Sequence, residues 1–76
     1  MDWMENNALR SAARAVIKEV HAEWAAKGIA NKSTSEAAKA RDAIARRVLD
    51  EWEAKITPRF TRLQLIYTIG AVRRRL

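Results

Sequence analysis

Apolar side chains recur along the first third of the chain with the period of an α-helix. Leu9, Ala13, Val16, Ile17, Val20 and Trp24 fall at i, i+4, i+7, i+8, i+11 and i+15, which places them along one helical face. The pattern predicts a first helix over residues 7–27. Asp2 or the Asn6/Asn7 pair offers a side-chain oxygen to cap its start. Gly28 stands where a left-handed residue would end it, with Ile29 folding back on Trp24 in a Schellman arrangement. Glu23 and Lys27 are correctly ordered for an i, i+4 ion pair.

Residues 28–34 read as a loop. A second stripe follows: Ala37, Ala40/Arg41, Ile44, Val48 and Trp52, widened by Ala45, Leu49 and Ile56. It predicts a helix over residues 35–55. Ser33 with Glu36 has the capping-box spacing, and Ser35 is a competing cap. Asp42 with Arg46, Arg46 with Asp50, and Arg47 with Glu51 are opposite charges one turn apart on its wet side.

Thr57-Pro58 interrupts this pattern, because proline disfavours helical geometry in the residue before it. A third helix is expected over residues 58–75, starting at Pro58, with Thr61 and Gln64 marking an alternative start. Its middle, Leu63 to Val72, is almost wholly apolar, which implies burial on most sides. The stretch Leu65-Ile66-Tyr67-Thr68-Ile69 also suits a strand, but a lone strand would have no sheet to join. Gly70 in the same segment fits either a close helix crossing or simple tolerance. A 28-residue shift pairs Val20 with Val48, Glu23 with Glu51, Trp24 with Trp52 and Lys27 with Lys55, a weak repeat that two alanine-rich helices can also produce by composition.

Composition sharpens this picture. Two glycines and one proline in 76 residues favour helix throughout. The fold class expected is all-α, a small three-helix bundle in one domain: helices one and two form an antiparallel hairpin and helix three packs across it. A chain of this size buries only about 60% of the surface its unfolded form exposes, so a homodimer is an expected way to cover surplus apolar area. The absence of cysteine excludes a disulfide staple and suits the cytoplasm. The acidic N-terminal residues and the short apolar runs argue against a targeting segment and a membrane span.

Charge is distributed unevenly. Residues 1–54 hold nine basic and nine acidic residues, so the net charge of +6 resides wholly in Lys55, Arg59, Arg62, Arg73, Arg74 and Arg75. These six are the candidate contacts to nucleic acid or another acidic partner. On the predicted third helix Arg59 and Arg62 at one end and Arg73 to Arg75 at the other form two basic clusters that bracket an apolar middle. Trp3 matches no helical stripe; it would pack on the end of the bundle or anchor a protein partner.

Catalytic constellations are not visible. His21 is the single histidine and has neither cysteines nor a nucleophile near it in sequence, so no metal site and no triad is expected. The carboxylates are dispersed beside basic residues, and there is no glycine-rich phosphate loop. A helix-turn-helix reader needs polar side chains on its recognition helix, and the third helix is apolar there. The expectation is therefore a non-enzymatic binding module without cofactors, docking through the basic C-terminal region on nucleic acid or a nucleoprotein. The alternative is a small inhibitor or adaptor of the kind carried by phages and mobile elements, anti-CRISPR-like or anti-defence-like, that binds a host protein complex. That alternative rests on analogy of size and type alone.

Overall fold

A computed structural model describes Trp3 and residues 6–74. Three helices account for most of them: α1 (Asn7–Ala26), α2 (Ser35–Ile56) and α3 (Arg62–Arg74). No strand occurs among the described residues, and the apolar stretch from Leu65 to Ile69 is helical throughout.

The ends of α1 follow local chemistry. Asn6 Oδ1 accepts from the backbone N–H groups of Ala8 and Leu9, at 2.9 and 3.1 Å, satisfying two donors that the first turn leaves unpaired. At the other end Gly28 takes φ +69°. Ile29 N–H donates to the carbonyl of Trp24 at 3.0 Å and Gly28 N–H to that of Ala25 at 3.1 Å. This pair of bonds is the Schellman motif.

At α2 the cap is Thr34, not Ser33 or Ser35. Its Oγ1 accepts from Ala37 N–H at 3.1 Å, while Thr34 itself keeps an extended backbone. All three residues carry a hydroxyl, and only the path of the loop decides which one meets the open N–H groups.

The expected start of α3 at Pro58 is corrected. Thr57-Pro58 is a cis peptide in a turn, and α3 begins at Arg62. The start used is the Thr61/Gln64 box: Gln64 N–H donates to Thr61 Oγ1 at 3.2 Å, and Thr61 N–H donates to Gln64 Oε1 at 2.9 Å. Thr57 also closes α2, its hydroxyl donating to the Glu53 carbonyl at 2.8 Å. The third helix therefore spans 13 residues, about 20 Å at 1.5 Å per residue. Of its expected end, Arg75 lies outside the described residues.

The hairpin is antiparallel, as the cross-links between α1 and α2 show. Trp24 pairs with Arg41, Glu23 with Arg47 and Glu19 with Trp52, so one number falls as the other rises. The third helix lies against α1 and scarcely touches α2. Its C-terminal part shares a cleft with Val20 and Trp24 of α1. Leu9, Ala12, Ala13, Val16 and Val20 of α1 thus serve both neighbours, meeting Ile44 and Val48 of α2 and Leu65 and Val72 of α3 in one core. The helix with the most continuous apolar stripe is the central one.

Trp3 is half-buried against this core, its ring 6.4 Å from that of Tyr67 and tilted by 51°. Trp24 and Trp52 also pack at the core margin, and each finds a hydrogen-bond acceptor across the hairpin. Trp24 Nε1 donates to the Arg41 carbonyl at 3.2 Å, and Trp52 Nε1 to Glu19 at 3.3 Å. The two glutamates related by the weak repeat, Glu23 and Glu51, converge on Arg47.

Gly70 explains no close crossing within the chain, because a Cβ built there meets nothing within 4 Å. Its helical φ is also one that alanine prefers. Gly70→Ala should therefore raise stability by about 0.5–1 kcal/mol, mostly by restricting the unfolded chain. Urea unfolding of the two proteins would measure it; a loss of stability would mean the site is less open than described.

Candidate functional site

The basic residues picked out by charge do not act as one group. Their settings separate into two ends of the molecule, and the individual side chains differ in how much of their charge remains available to a partner.

At the α2–α3 corner, Arg62 is committed internally. Its guanidinium donates to Glu53 at 3.0 Å and to Asp50, and these bonds, Glu53 first, raise its pKa above the ordinary arginine value. Arginine is cationic at every physiological pH, so the charge state does not change. What changes is the field seen outside, which two carboxylates largely offset. Arg59 does not belong to α3. It lies in the turn, exposed, with its guanidinium carbon 5.2 Å from the Phe60 ring centre. Lys55, in the last turn of α2, sits 4.3 Å over the Trp52 ring. Both contacts are of cation–π type, which still leaves one side of the cation to water.

At the other end, Arg73 and Arg74 occupy the last turn of α3 and are exposed. There they complement the negative end of the helix dipole. Among the described residues no carboxylate bonds to either of them. The expectation of two basic clusters on one helix thus becomes a cationic C-terminal end of α3 and, at the far corner, Lys55 and Arg59 beside a neutralised Arg62.

Between these ends the apolar middle of α3 departs from the expected burial. Leu65, Thr68 and Val72 are buried, whereas Leu63, Ile66 and Tyr67 are 60%, 41% and 56% exposed. The two sets lie on opposite sides of the helix. With α2 barely reaching α3, one face of an all-round apolar helix remains uncovered. The pattern signalled this in one respect: a ten-residue stretch, Leu63 to Val72, that is apolar on most sides needs more cover than two helices give.

A cleft opens beside that face. It lies over α1, between α2 and α3, with a volume of about 180 Å³. Val16, Val20, Trp24, Leu49, Ile66 and Ile69 form its walls, and His21 and Arg73 line it as polar groups. His21 also stacks at 5.3 Å, tilted by 42°, on Trp24. Arg73 therefore belongs both to the cationic helix end and to the cleft.

Elsewhere, positive charge is tied into the fold. Arg41 donates to two loop carbonyls, Ile29 at 2.7 Å and Lys32 at 2.6 Å. Arg47 bridges Glu51 and Glu23, bonds that raise its pKa, that from Glu51 most. Asp42–Arg46 forms as the spacing predicts, at 3.1 Å, but Asp50 turns to Arg62 and Glu23 to Arg47 rather than to their i, i+4 partners. Exposed pairs of this kind contribute only about 0–1 kcal/mol each.

Among the described residues no group of three or more His, Cys, Asp or Glu gathers as metal ligands, and no helix is long and apolar enough to cross a membrane. No family model matches the chain, and no curated protein or solved structure does either.

Proposed function

We propose that this protein is a non-enzymatic binding module that docks the basic end of α3 on an acidic macromolecular surface, whether of a nucleic acid, a nucleoprotein or a host protein complex. The observation that carries this reading is the contrast between arginines. Arg41, Arg47 and Arg62 spend their donors inside the molecule, while Arg73 and Arg74 are exposed in the last turn of α3 and bond to no carboxylate among the described residues. Charges arranged this way raise the encounter rate and orient an anionic partner more than they stabilise the fold. Lys55 and Arg59 extend the positive field at the opposite corner, and Arg75 adds a third cation next in sequence.

A second reading, an inhibitor or adaptor of a protein complex, draws support from the uncovered Leu63, Ile66 and Tyr67. Phosphate contacts need no such apolar surface, whereas protein interfaces are enriched in apolar and aromatic anchors with arginine among them.

The test is charge reversal rather than truncation, since α3 also carries core residues. The Arg73→Glu/Arg74→Glu protein should keep its helical circular dichroism. It should lose most of its binding to duplex DNA and to polyglutamate, with a flatter salt dependence between about 50 and 200 mM. Lys39→Glu, on α2, serves as the control for total charge. Undiminished binding after reversal at residues 73 and 74 would overturn the proposal.

A further inference from the structure

The uncovered face of α3 and the cleft beside it say more about the partner than charge does. Leu63, Ile66 and Tyr67 stand at i, i+3 and i+4, and Gly70 and Arg74 continue the same line at i+7 and i+11. The stripe thus runs from large apolar side chains, across a bare backbone position, to a cation. Ile66 joins it to the cleft, whose mouth carries Arg73. A cavity of about 150 Å³ holds a benzene ring, and small-molecule sites are about 300–1,000 Å³. At about 180 Å³ this cleft fits one large apolar side chain, not a cofactor.

We infer that this surface is a docking site for an acidic amphipathic helix of a protein partner, with one apolar side chain seated in the cleft and its carboxylates facing Arg73 and Arg74. The inference rests on the docking reading above and names its partner class. The helix periodicity of the stripe matches a helix laid along it, which anchors at i, i+3 or i+4 and i+7 spacings. Gly70 lies open on that line, with no atom within 4 Å of a Cβ built there, so a partner backbone can approach. Charge complementarity fixes the sign at the C-terminal end of the stripe. Arg73 and Arg74 are exposed in the last turn of α3, whereas Asp50 and Glu53 at its other end are engaged by Arg62, so the end of a helix laid against Arg73 and Arg74 is matched by carboxylates.

The same argument disfavours a second copy of this chain. Two α3 helices packed antiparallel would set Arg73 and Arg74 of one molecule towards Arg59 and Arg62 of the other, where the carboxylates of Asp50 and Glu53 are already engaged by Arg62; packed parallel, they would meet their own counterparts. Neither arrangement supplies a carboxylate from α3, and each molecule carries a net +6. Nucleic acid would satisfy the arginines and leave the three apolar side chains wet.

The experiment uses the full chain, isotope-labelled, and three synthetic probes of about 20 residues or base pairs. The first is a helix-forming peptide with Leu and Phe on one stripe and Glu elsewhere. The second has the same composition in scrambled order. The third is a DNA duplex. The ordered peptide should bind at least about tenfold more tightly than the scrambled one, shifting the amide signals of Leu63, Ile66, Tyr67 and Gly70. Leu63→Ser leaves every charge in place and should weaken the ordered peptide by about fivefold or more, with no change for DNA. Gly70→Glu sets a carboxylate on the open line and should weaken the peptide by about tenfold or more.

Equal affinity for ordered and scrambled peptides, or binding of DNA alone, would overturn this inference while leaving the docking reading intact. A dimer at micromolar concentration that buries Leu63 and Tyr67 would also overturn it. Binding of none of the three probes would overturn both.

Discussion

Leu65→Ala should be among the most damaging single changes in the protein, costing about 2–5 kcal/mol. Leu65 is completely buried, as is Leu9. It sits near the start of a helix of 13 residues, a length at which an isolated helix is marginal in water. The helix persists because it packs on α1, and it has few residues with which to do so: Leu65, Thr68 and Val72 are its buried set. Thr68 adds a methyl group, and its hydroxyl is satisfied by the Gln64 carbonyl at 2.8 Å. Removing the isopropyl group beyond the Leu65 Cβ therefore takes away the largest anchor and leaves a void that the weak α2–α3 contact cannot close. Small domains have roughly 0.05–0.15 kcal/mol of stability per residue in total, so the loss is a large part of what a chain of this size has. A fall in melting temperature on the order of 10 °C or more is expected, read by circular dichroism. A loss below about 1 kcal/mol would mean that α3 is held by something other than this contact. The change would also disarm the docking surface, because the same helix carries both.

Arg41→Met should be the second large effect, at about 1–3 kcal/mol. Methionine keeps most of the aliphatic stem and removes the donors. The guanidinium holds the carbonyls of Ile29 and Lys32 at 2.7 and 2.6 Å, and the Arg41 carbonyl receives the Trp24 indole at 3.2 Å. One residue of α2 thus ties the loop, the end of α1 and the start of α2 together. Bonds from a charged donor are worth more than neutral ones, but Arg41 is only half-buried, so the lower half of the range applies. Thermal unfolding would give the size. Amide exchange would give the place, with faster exchange expected around residues 29–34 and little change in α3. An unchanged melting temperature would show that water replaces these bonds at no cost.

Both results turn on contacts that the periodic pattern could not contain. Arg41 shares a stripe position with Ala40, and the pattern assigns its guanidinium no partner. Its role depends on the loop folding over it, which depends in turn on the Gly28 turn bringing residues 29–32 back across the helix end. The Thr34 cap has the same origin. In contrast, the Gly28 turn, the Asn6 cap and the Thr61/Gln64 box are local signals, though for the last two the sequence also offered Asp2 and Pro58, and the structure decided between them.

The candidate site divides along the same line. That residues after 54 carry the whole net charge is a fact of composition, and no fold could alter it. That Arg62 is offset by Asp50 and Glu53, while Arg73 and Arg74 stand clear, required α3 to turn back beside the end of α2. That Leu63, Ile66 and Tyr67 face outward required α3 to choose α1 over α2.

The sequence by itself determined three helices, the stripes that face the core and the cationic character of the C-terminal end. Helical period, caps and charge count are local or additive properties, so they survive in any arrangement of the elements. The tertiary structure alone decided which side of the apolar third helix is covered, which arginines are spent and where a cleft remains. Those outcomes depend on the angles at which the helices meet, and that choice follows from how three surfaces fit one another rather than from any one of them.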